Sequence, residues 1–395
     1  VRSPREESLI YLDFQASTPI DTSVADTMCE WIRSHSGNPH SSEHAFGWAA
    51  RDAVENARAS VAILVDSLPD DIIFTSGATE ANNLAIFGAA ERAAPGRDTI
   101  LVSAIEHASI LEPVRKLSRR GFNVVELPVD AEGRLHAWAF EQAMSERVLL
   151  VSVAAVNNEV GTLQDIQSIG ARCQSVGALF HTDAAQALTG CALPLGALPI
   201  DFASLSSHKA HGPAGIGALY VAPNRVDRLA PQVLGGAQQL GLRSGTLPTA
   251  LCIGFGRACE LLTAGGATER LRVASLRDRF WQMLQSAIPG AALNGPTTLA
   301  SRHPGNLNVA FPDVDARDLI QRIQPELAYS TGSACHSGSE EPSHVLTALG
   351  LDEQRARSSL RLSLGRQTTV EEVERATQLL SQAALRTVGS NYALP

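Results

Sequence analysis

Short apolar runs recur between residues 71 and 221, at 71–75, 99–103, 123–127, 148–156, 179–182, 202–206 and 217–221. Each is the length of a buried strand and too short for a helix, and most of the segments between them carry helical spacing. Ahead of them, Tyr11-Leu12-Asp13-Phe14 predicts a short strand. Val24, Met28, Trp31 and Ile32 mark an amphipathic helix, and Val54, Ala57, Val61 and Leu64 a second over 51–65. Beyond 221 a helix over 250–262 leads to Ala264-Gly265-Gly266, which predicts a hinge. Amphipathic helices through Ile288, a strand at 306–311, a helix over 318–323, a strand at 360–364 and a closing helix over 370–385 follow. Strands separated by helix-length segments predict an α/β fold with a mainly parallel seven-stranded sheet covered on both faces. The expected division is a large domain over 15–262 and a smaller α+β domain built from 1–14 and 263–395.

In such a sheet, ligands gather at the carboxyl ends of the strands, and the polar residues of this chain fall there. Glu106-His107 follows one strand, Asn157-Asn158-Glu159 the next, Asp183 and Gln186 a third, and Ser206, His208 and Lys209 a fourth. A lysine on a glycine-rich bend beside hydroxyls has the setting of a Schiff-base lysine, whose ammonium loses its proton when partly desolvated. Asp183 can keep a pyridine nitrogen protonated, His107 can lie against a flat ring or carry protons, and Asn158 and Gln186 can hold a phenolic oxygen. Ser76-Gly77-Ala78-Thr79 joins a strand to a helix start and reads either as a phosphate site or as a plain helix cap. A phosphate site, a pyridinium partner and a lysine on one sheet edge point to pyridoxal 5'-phosphate.

Composition narrows the field. At 395 residues the chain exceeds one ordinary core, and 44% hydrophobic with 18% charged residues describes a globular protein. A net charge of −9 argues against nucleic acid or an anionic membrane held by charge. No apolar run reaches the roughly 18 residues of a membrane span. The polar start, Val1 to Glu7, has no signal-peptide segment, so a cytoplasmic location is expected. The 6 cysteines have no metal-ligand spacing and predict reduced thiols and no bound metal.

Cys335 stands apart from the others. It lies among hydroxyls, glycines and His336 in Gly332-Ser333-Ala334-Cys335-His336-Ser337, a setting for a reactive thiol rather than a packed one. Arg361 in a short alternating strand can grip a carboxylate bidentately or be an ordinary edge cation. The Gly37-Asn38-Pro39-His40 loop can face a ligand or simply connect. The loop from Gly235 to Thr246 can be a surface connection or be lent to a neighbouring subunit's site.

In order along the chain, Ser76-Gly77-Ala78-Thr79-Glu80, Val156-Asn157-Asn158-Glu159, His181-Thr182-Asp183-Ala184-Ala185-Gln186, His208-Lys209 with Gly212-Pro213, and Arg243-Ser244-Gly245-Thr246 resemble a cysteine desulfurase of the class V aminotransferase group. The resemblance spans nearly the whole chain. It implies a fold type I homodimer with pyridoxal 5'-phosphate on Lys209, held also by Ala78, Thr79, His107, Asn158, Asp183, Gln186, Ser206 and His208. It further implies that Thr246 reaches the partner subunit's cofactor and that Asn38 and Arg361 hold the substrate carboxylate. The expected activity converts L-cysteine to L-alanine and passes the sulfur to Cys335, in a run similar to the long-loop type, and from there to an acceptor protein. Selenocysteine lyase and an ordinary aminotransferase that ignores Cys335 are the alternatives. Two departures stand out. Gly235-Gly236-Ala237-Gln238-Gln239 has alanine and glutamine where glycine and glutamate are common, and Ser207 replaces a glycine before His208-Lys209.

Overall fold

The computed structural model describes residues 9–331 and 342–390. In chain order its strands are β1 (Ile10–Tyr11), β2 (Ile72–Thr75), β3 (Thr99–Ser103), β4 (Asn123–Leu127), β5 (Val148–Ser152), β6 (Leu179–Asp183), β7 (Phe202–Ser206), β8 (Gly217–Val221), β9 (Ala292–Leu293), β10 (Asn306–Ala310), β11 (Leu327–Ala328) and β12 (Ser359–Ser363). Seven of them form one sheet in the order β2-β8-β7-β6-β5-β3-β4. Only β8 runs antiparallel to its neighbours there, pairing Ser206 with Gly217 on one side and Thr75 with Gly217 on the other. All seven strands found in the sequence are present. The 148–156 run ends its strand at Ser152, although the Val153 and Ala155 N–H groups still donate to the His181 and Asp183 carbonyls of β6.

The central strands are apolar on both faces, as a sheet covered on both sides requires. One core joins Phe74, Val151, Phe180, Leu205 and Tyr220 to Val54, Val61, Phe255 and Leu262, and a second on the opposite face joins Ile73, Ile100, Leu150 and Phe202 to Leu84, Ile110 and Val114. A third core gathers Ile10, Leu12, Phe280, Leu284, Leu307, Phe311, Leu360 and Val373. In that third region β12-β10-β9 is an antiparallel sheet, and β1 pairs with β11.

The expected hinge at Gly265-Gly266 is not a break. A single helix runs over Thr249–Ala287, passing through both glycines. Its first half buries Cys252, Phe255 and Cys259, and its second half Val273, Leu276, Phe280 and Leu284, so packing at both ends holds the helical path. Each glycine costs only about 1 kcal/mol relative to alanine in a helix interior. Elsewhere on this helix glycine is required by space: a Cβ on Gly256 would meet Ala57 Cα of the Ala45–Leu64 helix at 2.6 Å, whereas one on Gly265 meets nothing within 4 Å. Gly265→Ala is therefore expected to stabilise the protein by about 0.5–1 kcal/mol. Gly256→Val should destabilise it by about 1–3 kcal/mol through overpacking. Urea unfolding midpoints check both; a Gly265→Ala variant with a lowered midpoint would contradict a continuous helix.

Candidate active site

The carboxyl ends of β2, β3, β5, β6 and β7 open onto one cavity of about 550 Å³. Its lining includes Ala78, Thr79, His107, Asn158, Asp183, Gln186, Ser206, His208, Lys209 and Arg361. Ten of the sequence candidates thus meet at one place. Asn38 and Thr246 do not. Both are exposed and outside the cavity, and the Asn38 side chain is spent locally, its Oδ1 accepting from His40 N at 3.0 Å. Cys335 lies outside the described residues.

Lys209 follows β7 in a single short turn, Ser207–Lys209. Its Nζ donates to two backbone carbonyls, Gln15 O at 2.6 Å and Ala16 O at 2.7 Å. Asp183 ends β6 almost fully buried, and its oxygens accept from Asn82 Nδ2 at 2.8 Å and from Ala185 N at 2.9 Å. The Asn82 amide also reaches Ser109 Oγ at 2.8 Å, and Ser109 Oγ in turn is 2.8 Å from His107 Nδ1. One chain of hydrogen bonds therefore links the carboxylate to the imidazole. Burial pushes His208 down to about 4, helped by the adjacent Lys209 charge, so at neutral pH it is an uncharged ring, 3.2 Å from Ser17 Oγ.

At the other end of the cavity the helix Ala78–Glu91 begins without a capping side chain. Its first N–H groups have no partner within the helix and carry the positive end of the helix dipole. Gly77 before it takes φ 151°, an angle that residues with a Cβ rarely adopt, and nothing lies within 4 Å of the place a Cβ would fill. Glu80 binds Ser76 N at 2.7 Å and the Arg243 guanidinium at 2.7 Å, which fixes the turn to the Gly235–Thr246 loop. The backbone cradle with the Thr79 and Ser206 hydroxyls suits a phosphate, Asp183 a protonated pyridine nitrogen, and Lys209 an aldehyde. The residues present fit pyridoxal 5'-phosphate.

Two carboxyl groups beside the site are buried without a cation of their own. Burial pushes Glu106 up to about 8; the Ala154 N–H, bound at 2.9 Å, opposes this, and the Asp183 charge adds to it. Burial likewise pushes Glu159 up to about 7, against the Ser343 hydroxyl at 2.7 Å and the Arg361 charge. The sequence flagged both residues as strand-end polar groups but held no sign that burial would push them upward. Asn82, Gln15 and Ala16 were missed altogether. An amide within the otherwise apolar inner face of the Ala78–Glu91 helix was the available signal for Asn82; a backbone carbonyl leaves none.

A strand-end lysine, a buried carboxylate and an uncapped helix start around one cavity define a pyridoxal phosphate site of fold type I. The chain belongs to the Aminotransferase class-V family, which matches residues 10–376. It is similar to cysteine desulfurase IscS of Colwellia psychrerythraea, 43% identical over 95% of this chain and 92% of the relative. Among solved structures, a NifS-like protein superposes with a TM-score of 0.88 at 32% identity, over 95% of this chain and 98% of that one. A structure of SspA in complex with cysteine gives a TM-score of 0.79 at 35% identity, over 90% of this chain and 99% of that one. No helix of the described residues is long and apolar enough to cross a membrane.

Glu106 holds a proton in the folded protein that the unfolded chain, with an ordinary value of 4.5, releases. Native protons exceed unfolded ones between those two values, so this group lowers stability progressively as pH rises from about 4.5 to about 8. Glu106→Gln should remove that dependence, flattening stability against pH by up to about 1.4 kcal/mol per pH unit within the window. Denaturant unfolding at pH 5.5 and 8 measures it; parallel curves for variant and wild type would mean that Glu106 is ionised in the fold.

Proposed function

We propose that this protein is a pyridoxal 5'-phosphate-dependent cysteine desulfurase, converting L-cysteine to L-alanine and passing the sulfur onward through Cys335. The observation that carries the reading is the meeting of Lys209, Asp183 and the uncapped Ala78 helix start on one cavity. Likeness over nearly the full length to a cysteine desulfurase supports the same reaction. The cysteine bound in the SspA structure supports the choice of substrate.

The cofactor's phosphate would be held by the Ala78 and Thr79 backbone with the Thr79, Ser206 and His208 side chains, its ring by His107, Asp183 and Gln186, and its phenolic oxygen by Asn158 or Gln186. Bound there, it supplies an aldehyde that takes an amine and a ring that accepts electrons. Asp183 is suited to keep that ring's nitrogen protonated, since Asn82 and Ala185 hold its carboxylate in place. Lys209, once its amine is free, takes the proton from the substrate Cα and is the only lysine on the cavity among the described residues. His107 is placed to move a proton, with its Nδ1 engaged by Ser109. Arg361 grips the substrate carboxylate. Cys335 attacks the substrate sulfur: the Cβ–S bond breaks, an S–S bond forms, and the carbon gains the proton that the thiols lose. The balance is one thiol and L-cysteine giving one persulfide and L-alanine.

A homodimer is part of the proposal. Val233, Leu234 and Leu240 are exposed at 40%, 80% and 64% in and beside the loop that carries Thr246, which supports a subunit contact there. Thr246, outside its own cavity, would then serve the partner subunit's cofactor. Asn38 as a carboxylate ligand has less support, given its distance from the cavity lining. The separation of the third core from the two sheet cores supports the division at 262 and 263. The free thiols of the described cysteines support a reducing, cytoplasmic setting.

L-Alanine released from L-cysteine by purified wild type and by Cys335→Ser, with reductant present, tests the function. The expected result is loss of turnover in the variant by at least about 100-fold with the cofactor absorbance retained. Full turnover in the variant would leave a class V enzyme that is not this desulfurase.

A further inference from the structure

Arg361 is 4% exposed, yet it lines the cavity. Its Nη2 donates to Asp13 Oδ1 at 2.7 Å and its Nη1 to the Asn158 carbonyl at 3.0 Å, while Nε is enclosed with no partner among the described residues. A guanidinium has five N–H donors, so this one is held at two points with donors to spare. Asp13 reaches it from an adjacent segment: it bridges Ser363, two residues on from Arg361 along β12, and the Phe14 N–H locks that register on Ser363 O. Asp13 is not itself part of the cavity lining. Burial pushes its carboxyl upward, while the charges of Arg361 and, more weakly, Lys209 pull it down, so one carboxylate answers both cations of the cavity.

Resting on the reading of Arg361 as the grip for the substrate carboxylate, we propose that Asp13 is a positioning residue that acts as a resident counter-ion. It fixes the Arg361 guanidinium through the Nη2 contact, and it competes with the incoming α-carboxylate for the same positive charge. The affinity of the site for an amino acid is set by the balance of these two effects. They separate by substitution, because the first needs only an oxygen that accepts from Nη2 and the second needs the charge.

Asp13→Asn keeps an acceptor and removes the charge; Asp13→Ala removes both. The probe is L-alanine, the non-reacting product, bound to holoenzyme and measured by calorimetry at low salt, with KM and kcat for L-cysteine alongside. The Asn variant should bind L-alanine about fivefold more tightly and the Ala variant about tenfold more weakly, with the changes falling on KM rather than on kcat. Added salt should shrink the gap between wild type and the Asn variant. A merely structural role cannot send the two variants in opposite directions. Weakened binding in both, or unchanged binding in both while wild type binds, overturns the inference alone. Wild-type holoenzyme that binds no L-alanine and turns over no L-cysteine overturns the desulfurase reading, and the inference with it.

Discussion

A lysine ammonium in a cavity at the end of a sheet has to be held without being neutralised, and here backbone carbonyls do it. The Gln15 and Ala16 oxygens that receive Lys209 lie on a short segment that nearly every part of the site touches. Gln186 Nε2 donates to Gln15 O as well, Asn306 to Gln15 Oε1, and Gln15 N to Ser363 Oγ. Ser17 meets His208, and Thr18 binds the His208 carbonyl and the His211 N–H. Residues 13–18 therefore run between the sheet cores and the third core as a shared wall. Moving that wall would shift Lys209, Arg361 and His208 together. A carbonyl holds the ammonium by its dipole alone, without the full negative charge by which a carboxylate would make the proton harder to remove.

The charges around this wall are rationed. Burial pushes Glu106 up to about 8 and Glu159 up to about 7, while Asp13 is in direct contact with the Arg361 guanidinium and Asp183 is held by Asn82 and the Ala185 N–H. Both residues also anchor the neighbouring chain, Glu159 through its carboxyl group and Glu106 through its backbone carbonyl. Glu159 takes the Ser343 hydroxyl, and the Glu106 carbonyl takes His344 Nε2, so the chain re-entering after residue 341 is tied to the ends of β3 and β5. Val345 and Leu346 pack on Ile105 and Val160 beside them. Ionising either carboxyl is costly chiefly because both are fully enclosed; the Asp183 charge adds to that cost at Glu106, and the Arg361 charge offsets part of it at Glu159.

The parts legible in the sequence were those with local periodicity or a strand-end position. Seven apolar runs announced seven strands, and Lys209, Asp183, His107 and Asn158 could be grouped because a parallel sheet sends all its carboxyl ends to one edge. Contacts that cross hundreds of residues left no such trace. Asp13 beside Arg361 and Gln15 beside Asn306 depend on how β1 and the segment after it are threaded against β12 and β10, which no local pattern encodes. The Gly265-Gly266 pair misled for the opposite reason. It is a local breaker signal overruled by packing on both sides of it.

The two departures from the family pattern show how such a fold absorbs change. Ser207 stands in place of a glycine, and its hydroxyl fits because Gly212 opposite has no side chain: a Cβ there would lie 2.1 Å from Ser207 Oγ. The added atom is thus accommodated by a neighbouring absence, at the expense of a buried hydroxyl without a partner. Gln239 stands where glutamate is common, and its amide uses both of its faces. Its Oε1 accepts from Phe74 N at 2.8 Å and from Arg58 at 3.2 Å, while its Nε2 donates to Phe74 O at 2.6 Å. That pair of bonds imitates a neighbouring strand on the open edge of β2, next to the Ser76–Thr79 turn. A carboxylate could accept from Phe74 N and Arg58 but would face the Phe74 carbonyl with a second acceptor. With Arg58 already bonded to the Ile72 carbonyl and stacked 4.9 Å from the Phe74 ring, the edge needs a donor more than another charge. Glutamine supplies it, and the loop bearing Thr246 is pinned to the strand that leads into the phosphate cradle.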